Sequence, residues 1–185
     1  MTNKERMLRG ELYDANYDEN LIKERENCKT LCQQYNFLNP KETSKKKALL
    51  KSILGKCTNN IIIEPSFWCD YGYNIECGDN FYANHNLVIL DPAKVTFGDN
   101  VFIAPNCGFY TAGHPISVEE RNSGLEFAKP ITIGNNVWIG GGVTVLPGVI
   151  IGDNTTIGAG SVVTHDIPAN TIAFGNPCKV HKNIK

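Results

Sequence analysis

The sequence predicts a mainly β fold, a parallel β-helix built from six-residue repeats, preceded by a helical segment. Two observations carry that reading. From Ile133 to Pro168 the chain falls into six hexads, each opening on Ile or Val: Ile133, Ile139, Val145, Ile151, Ile157 and Val163. A triplet, Gly-Asp-Asn or Gly-Asn-Asn, recurs at Gly78, Gly98, Gly134 and Gly152, with gaps of 20, 36 and 18 residues. A period of six cannot keep an apolar stripe on an α-helix, because it carries the residue around the cylinder. It suits a solenoid in which each hexad is a short strand and a corner. The branched residue then points inward, and Gly or Asn takes a corner where φ can be positive. Three hexads make one three-sided coil, and the next coil stacks on it about 4.8 Å away through parallel-strand hydrogen bonds.

Residues 1–57 obey no hexad and read as helical. Arg6 to Gly10 ends a first short helix or turn. Asp18 is a candidate N-cap for a second helix with the stripe Leu21, Cys28, Leu31, Cys32 and Tyr35. Asn39-Pro40-Lys41-Glu42 offers a cap, a first-turn proline and a Glu at the third position. A third helix then presents Ala48, Leu49, Ile53 and Leu54 and stops at Gly55. Three short helices make little core alone, so they are expected to lie on the prism and close its first coil.

The prism is expected to begin at Ile61, within a domain of residues 58–185. Ile63, Cys69, Cys77, Ala83, Ile89, Phe97, Ile103 and Phe109 keep the phase, with eight-residue steps at 69–77 and 89–97. The gap of 36 reads as one coil plus an excursion, because hexad positions there fall on Pro115, Arg121 and Phe127 within a polar run. Thr111 to Pro130 is therefore predicted to be a loop thrown out of the prism, and long loops on rigid scaffolds often carry function. After Pro168 the repeat is expected to fade into a basic tail with Lys179, His181, Lys182 and Lys185.

Composition narrows the function. The 185 residues are 42% hydrophobic, and no apolar run reaches the ~18 residues that span a bilayer. The N-terminus shows no apolar signal core, so a cytoplasmic location is expected. Net charge is −1, shared unevenly: residues 1–57 hold 12 basic and 8 acidic side chains. That balance on helices reads as a solvated face, and nucleic-acid binding is not expected. Seven cysteines form no Cys-x-x-Cys pair and read as reduced thiols. The histidines, His85, His114, His165 and His181, are spaced so that no two share a rung, which argues against a histidine zinc site. His114 stands out, since it opens the excursion between Gly113 and Pro115, two residues that fix the backbone on either side of it.

The runs Asp70-Tyr-Gly-Tyr-Asn-Ile75, Phe81-Tyr-Ala-Asn84, Thr111-Ala-Gly-His-Pro115, Glu120 to Phe127, Ile133 to Gly140 and Gly158-Ala-Gly-Ser161 together resemble the maltose and galactoside O-acetyltransferases. That family belongs to the hexapeptide-repeat acyltransferases with a left-handed β-helix, and the resemblance extends over nearly the whole chain. It implies transfer of acetyl from acetyl-CoA to a sugar hydroxyl in a homotrimer with sites between subunits. His114 matches the family's catalytic histidine. A hydroxyl is a poor nucleophile near pH 7, and a His with an unperturbed pKa of ~6.5 suits the base that deprotonates it. Asn84 matches the position credited with stabilising the oxyanion and contacting the thioester. Direct transfer is expected, since no Ser or Cys sits beside a base.

The resemblance further implies that Asp14, Asp70, Asp91, Glu126 and Trp138 lie at or near the acceptor. It places Asn84, Gly141, Ala159, Thr164, His165, Lys179 and Lys182 against acetyl-CoA, and it implies no metal. The chain departs from the galactoside pattern at several of these: Asp70 and Gly141 stand where that branch has Ser, His165 where it has Lys, and Lys179 and Lys182 where it has Arg. Lys keeps the charge but loses bidentate geometry. Structural alternatives stay open: Trp138 as packing, Asp70 as a corner acceptor, Asn84 as a ladder residue, Lys179 and Lys182 as a solvated tail. An acetyltransferase for an antibiotic or amino-acid hydroxyl, and a non-catalytic binding solenoid, are the rival readings.

Overall fold

A computed structural model describes residues 1–184, so Lys185 of the basic tail lies outside the described residues. Three helices precede the solenoid: α1 (Asn3–Leu8), α2 (Glu19–Asn36) and α3 (Thr43–Ile53), with a two-residue strand β1 (Tyr13–Asp14) between the first two. The first coil is β2 (Ile61–Ile63), β3 (Phe67–Cys69) and β4 (Ile75–Cys77), and the second is β5 (Phe81–Ala83), β6 (Leu87–Leu90) and β7 (Val95–Phe97). The third runs through β8 (Phe102–Ile103) and β9 (Gly108–Tyr110). It then leaves the prism as β10 (Ala112–Gly113), α4 (Val118–Asn122) and β11 (Leu125–Ala128), and closes with β12 (Ile131–Ile133). Above it stack β13 (Trp138–Ile139), β14 (Thr144–Val145), β15 (Ile150–Ile151), β16 (Thr156–Ile157) and β17 (Val162–Val163), then β18 (Thr171–Phe174) and β19 (Lys179–Asn183).

The strands form three parallel faces. The first holds β2, β5, β8, β13, β16 and β18, the second β3, β6, β9, β14 and β17, and the third β4, β7, β12 and β15. Because β12 pairs with β7 in register, Ile131 opposite Val95, the excursion is an insertion within one coil, as its composition predicts. The hexad residues from Ile63 to Val163 all point inward and are buried, in one continuous core with Cys32, Tyr35, Leu50 and Ile53 of the helices. Each fully buried branched side chain contributes about 1.5–3 kcal/mol, which is what closes the prism.

At the edge between the third and first faces, Asn80, Asn100, Asn136, Asn154 and Asn170 adopt positive φ. Their side-chain amides bond from rung to rung at 2.8–3.0 Å, a ladder up the prism. The glycine of each triplet serves a different need from positive φ. A Cβ on Gly78 would sit 2.5 Å from the backbone of Gly98, and one on Gly98 2.8 Å from that of Gly134.

The helices close the first coil face by face. The Tyr35 hydroxyl donates to the Ile63 carbonyl. Asn36 stands in for a missing strand, donating to Phe67 O at 3.0 Å and accepting from Phe67 N at 2.8 Å. Lys56 pairs with the third face by accepting from Cys77 N and donating to Ile75 O. Asp18 caps α2 as the sequence predicts, accepting from Asn20 N and Leu21 N.

Three local expectations fail. Asn39 to Glu42 forms its bonds as an isolated turn, with Glu42 N donating to Asn39 O, and α3 starts only at Thr43. Leu50, not Ala48, faces the core, Ala48 being exposed. The repeat does not fade after Pro168, since β18 adds another rung on β16. The tail then folds back as β19, antiparallel on β18, with Phe174 stacked on His181.

Replacing Asn36 with Leu leaves the Phe67 amide and carbonyl unpaired at a half-buried edge. Urea denaturation should show a loss of about 1–3 kcal/mol; a variant as stable as the parent would mean that something else seals this edge.

Candidate active site

The excursion is held at its base by Thr111, a buried residue whose hydroxyl donates to Leu90 O at 2.9 Å and accepts from Ala93 N at 3.0 Å. Lys129 N closes the base on Thr111 O. Inside it β10 and β11 form an antiparallel hairpin, with the Phe127 ring lying where a Cβ on Gly113 would be. The outer edge of β11 is paired by β1, Tyr13 opposite Glu126. Asn16 also donates to Gly124 O at 2.9 Å. The predicted loop thus supplies two strands of a three-stranded sheet, and the N-terminal segment supplies the third.

This brace fixes His114. Its Nδ1 lies 3.3 Å from the Leu125 carbonyl, and its Nε2 is 3.8 Å from Glu126 Oε1. The other carboxylate oxygen of Glu126 accepts from the Tyr13 hydroxyl at 3.0 Å. Burial, then the Glu126 charge, pushes the Tyr13 pKa up, so Tyr13 stays a proton donor. The imidazole itself is half exposed.

Beside it, Tyr13, Asn16, Arg25, Asp70, Tyr71, Pro92 and Glu126 line a polar cleft of about 110 Å³. Arg25 spans it, donating to Tyr71 Oη at 2.7 Å and Ala15 O at 2.5 Å. Burial raises the Asp70 carboxyl, opposed by Lys29 and Arg25. Burial pushes the Tyr71 hydroxyl up to about 12 against the pull of Arg25.

Asn84 sits elsewhere, at the edge between the first and second faces. Its Oδ1 accepts from His85 N at 2.7 Å, and no hydrogen bond from its NH₂ occurs among the described residues. Above it on the same edge come Ala104, Gly141 and Ala159, tied rung to rung by backbone bonds such as Gly160 N to Gly141 O. Thr164 and His165, bonded to each other at 2.8 Å, lie on the edge that carries His114. Lys179 and Lys182 are exposed on β19, opposite Phe174 and Ile172.

Comparison with known proteins matches this arrangement along its whole length. Residues 6–58 match the maltose acetyltransferase hexapeptide capping motif, and 130–165 match the bacterial transferase hexapeptide motif of six repeats. A Saccharomyces cerevisiae protein with only a provisional acetyltransferase name is 63% identical over 97% of this chain and 92% of its own. The galactoside O-acetyltransferase of Escherichia coli K12 is 47% identical over 97% and 88%. The chain belongs to the maltose and galactoside O-acetyltransferase family. Solved structures agree. A maltose O-acetyltransferase from Clostridium difficile 630 superposes at TM-score 0.98, with 53% identity over 100% of this chain and 98% of that one. A galactoside acetyltransferase in complex with coenzyme A superposes at 0.96, with 46% identity over 100% and 92%.

Within this family member, the structure gathers Glu126 and Asp70 in one cleft, sets His114 against Glu126 and leaves other expected acceptor residues outside the lining. Asp14 is spent on its own turn, accepting from Asn16 N at 3.1 Å and Tyr17 N at 2.9 Å, and it is Asn16 that reaches the cleft. Trp138 is exposed on the outer side of the first face, paired with Phe102. Asp91 is fully buried: its Oδ1 accepts from Asp70 N at 3.0 Å and Tyr71 N at 2.9 Å, and its Oδ2 has no partner. It shapes the corner beneath the cleft and is not among the residues that line it. Arg25, Tyr71 and Tyr13 escaped sequence reasoning; the aromatic-rich Asp70 to Asn74 run was the available signal for Tyr71, and nothing local marked Arg25.

Burial pushes the Asp91 pKa up to about 7, against the lowering effect of the Tyr71, Asp70 and Gly72 amides. The native state therefore keeps a proton that the unfolded chain releases near pH 4, and stability falls between about pH 4 and 7, then levels off. Asp91→Asn keeps the acceptor oxygen and removes the ionisation. Thermal melts should show the variant gaining on the parent as pH rises through that window; parallel curves would show that Asp91 does not titrate there.

Proposed function

We propose that this acetyltransferase moves acetyl from acetyl-CoA to a hydroxyl of a sugar of the maltose, glucose or galactoside type, as a homotrimer in the cytoplasm. The observation that carries the reading is the His114–Glu126–Tyr13 chain of contacts at the mouth of a polar cleft. With Nδ1–H donated to the Leu125 carbonyl, the neutral imidazole keeps its Nε2 lone pair for a proton. An acceptor hydroxyl in the cleft gives up its proton to Nε2 as its oxygen attacks the acyl carbon. Glu126 then faces the imidazolium, and Tyr13 holds Glu126 in place. His114 returns the proton to the departing thiolate. The paired carboxylates, Arg25 and Tyr71 suit an acceptor rich in hydroxyl groups, since each can exchange hydrogen bonds with a polyol.

The acetyl thioester supplies an activated acyl group, and the edge above Asn84 fits its slender arm. In the lower coils Asn86 and Asn106 occupy the positive-φ corner and bond to each other at 3.0 Å. In the upper coils Gly142 and Gly160 take that position, leaving the edge without side chains beside Gly141 and Ala159. A Cβ on Gly160 would meet nothing within 4 Å. The free NH₂ of Asn84 is a neutral donor for charge developing on the carbonyl oxygen. Lys179 and Lys182 supply positive charge at the far end for phosphates. The complex of a related galactoside acetyltransferase with coenzyme A supports this co-substrate.

Where these groups lie supports the trimer. Asn84 and His114 occupy different edges, separated by a hexad of roughly 20 Å of extended chain. One reacting carbonyl cannot reach both within one subunit. A copy laid against the first face covers its exposed column of Ile62, Phe102 and Trp138 and brings its own His114 to this Asn84. Three such heterologous contacts close a ring. Trp138 would then line the seam, in keeping with the acceptor contact that the resemblance implies. Seven free thiols suit a reducing compartment.

His114→Ala should lower turnover by about 10²–10⁴-fold, and Asn84→Ala by about 10²–10³-fold, in a thiol-release assay with acetyl-CoA and a panel of sugars. Full activity in both variants would sink the mechanism. Mixed and refolded in equal amounts, the two inactive variants should recover about a quarter of wild-type activity, because each mixed ring rebuilds one site of three. No recovery would place both groups in one subunit.

A further inference from the structure

Three cysteines far apart in the sequence meet where α2 rests on the first coil. The Cys69 Sγ lies 3.5 Å from that of Cys28 and 3.7 Å from that of Cys32, and all three sulfurs fall within 4.8 Å of one another. Cys28 and Cys32, one turn apart on α2, face the same way, and Cys69 ends β3 beneath them. All three are buried and none is disulfide-bonded.

We propose that Cys28, Cys32 and Cys69 form a thiolate site for a soft metal ion of the zinc type, which staples the N-terminal helix to the solenoid. The spacing is what such an ion requires: with metal–sulfur bonds of ~2.3 Å, tetrahedral thiolates stand ~3.8 Å apart. Three converging thiols exceed the pair that a disulfide uses. The site also has routes to solvent, because Cys28 lines one surface cleft, beside Leu31 and Tyr73, and Cys69 lines another, beside Lys29 and Asp70. The Lys29 ammonium at the second mouth offsets the negative charge that three thiolates leave on a divalent ion. The fourth position falls to a solvent oxygen, since no fourth His, Cys, Asp or Glu ligand atom joins the three sulfurs within 4.8 Å among the described residues. Binding replaces three thiol protons with the metal, so affinity rises with pH.

The site is independent of the acetyl-transfer reading, and its test needs no substrate. The reduced full-length protein is titrated with cobalt(II) and then with zinc(II). We expect one equivalent of cobalt to produce a thiolate charge-transfer band and the visible bands of a tetrahedral site, both bleached by zinc. Zinc at about 100 times its Kd should raise the melting temperature by several degrees. Cys32→Ser should abolish band and shift together, whereas Cys57→Ser, which alters a thiol outside the cluster, should keep both. Folding of each variant is checked by circular dichroism. If Cys32→Ser fails to fold, protection of the parent's thiols from a disulfide reagent by one equivalent of zinc decides in its place. A folded, reduced parent that shows no band, no shift and no protection overturns the site, and so does a band that survives in folded Cys32→Ser.

Discussion

Each coil must come back to the same three corners one strand spacing higher, and the rest of the molecule is arranged around that return. The constraint acts atom by atom at the edge between the third and first faces. Consecutive corners are so close that the Gly of each triplet has no room for a Cβ, and the Asn that ends it must accept positive φ. An asparagine tolerates that conformation better than most residues and adds a side-chain amide that bonds to the rung above. The repeating triplet is therefore the consequence of stacking, written into the sequence at the places where stacking is tightest. Where the chain does lengthen, it does so elsewhere. The eight-residue steps at 69–77 and 89–97 and the excursion after Phe109 all leave from the edge between the second and third faces. The lower coils thus build a broadened shoulder there, and Thr111 fastens the excursion onto it through Leu90 and Ala93.

The N-terminal segment joins two tasks that look separate. Tyr35, Asn36 and Lys56 satisfy the open strand edges of the first coil, without which the solenoid would present an adhesive end. The same segment supplies β1, whose pairing with β11 sets Tyr13 against Glu126 and so sets Glu126 beside His114. Arg25 braces the two parts, reaching from α2 to Ala15 on one side and Tyr71 on the other. Loosening of α2 is therefore transmitted to the imidazole through a short run of hydrogen bonds, although α2 itself lies outside the cleft.

The sequence exposed the prism because its core obeys a strict period and tolerates little else. Every hexad residue from Ile133 to Val163 is buried in the structure, and the length of the excursion could be counted from the spacing of Gly98 and Gly134. What stayed hidden depends on pairing between distant segments. A two-residue strand such as Tyr13–Asp14 has no pattern of its own and exists only because Glu126 and Leu125 wait opposite it. Asp91 resembled a site residue by position, yet its backbone acceptor role needs the turn at Asp70 and Tyr71 to be visible. Cys28 and Cys32 lay on one helical stripe in plain view, but their third partner comes from a strand 37 residues beyond Cys32. Asn39 to Glu42 misled for the opposite reason: its local bonds form as written, and tertiary packing simply starts the helix later.

The edge bearing Asn84 shows how function is laid over such a constraint without disturbing it. Four of its corners share one backbone conformation, with φ of 63° at Asn86, 62° at Asn106, 70° at Gly142 and 71° at Gly160. Stacking demands that conformation and is indifferent to whether Asn or Gly supplies it. In the second and third coils Asn adds a ladder bond that Gly cannot make. The fourth and fifth coils forgo that bond and pay the larger backbone entropy of glycine as well. A loss taken twice, on one edge, directly above a side-chain amide with unused donors, leaves bare backbone where the proposed thioester arm would lie.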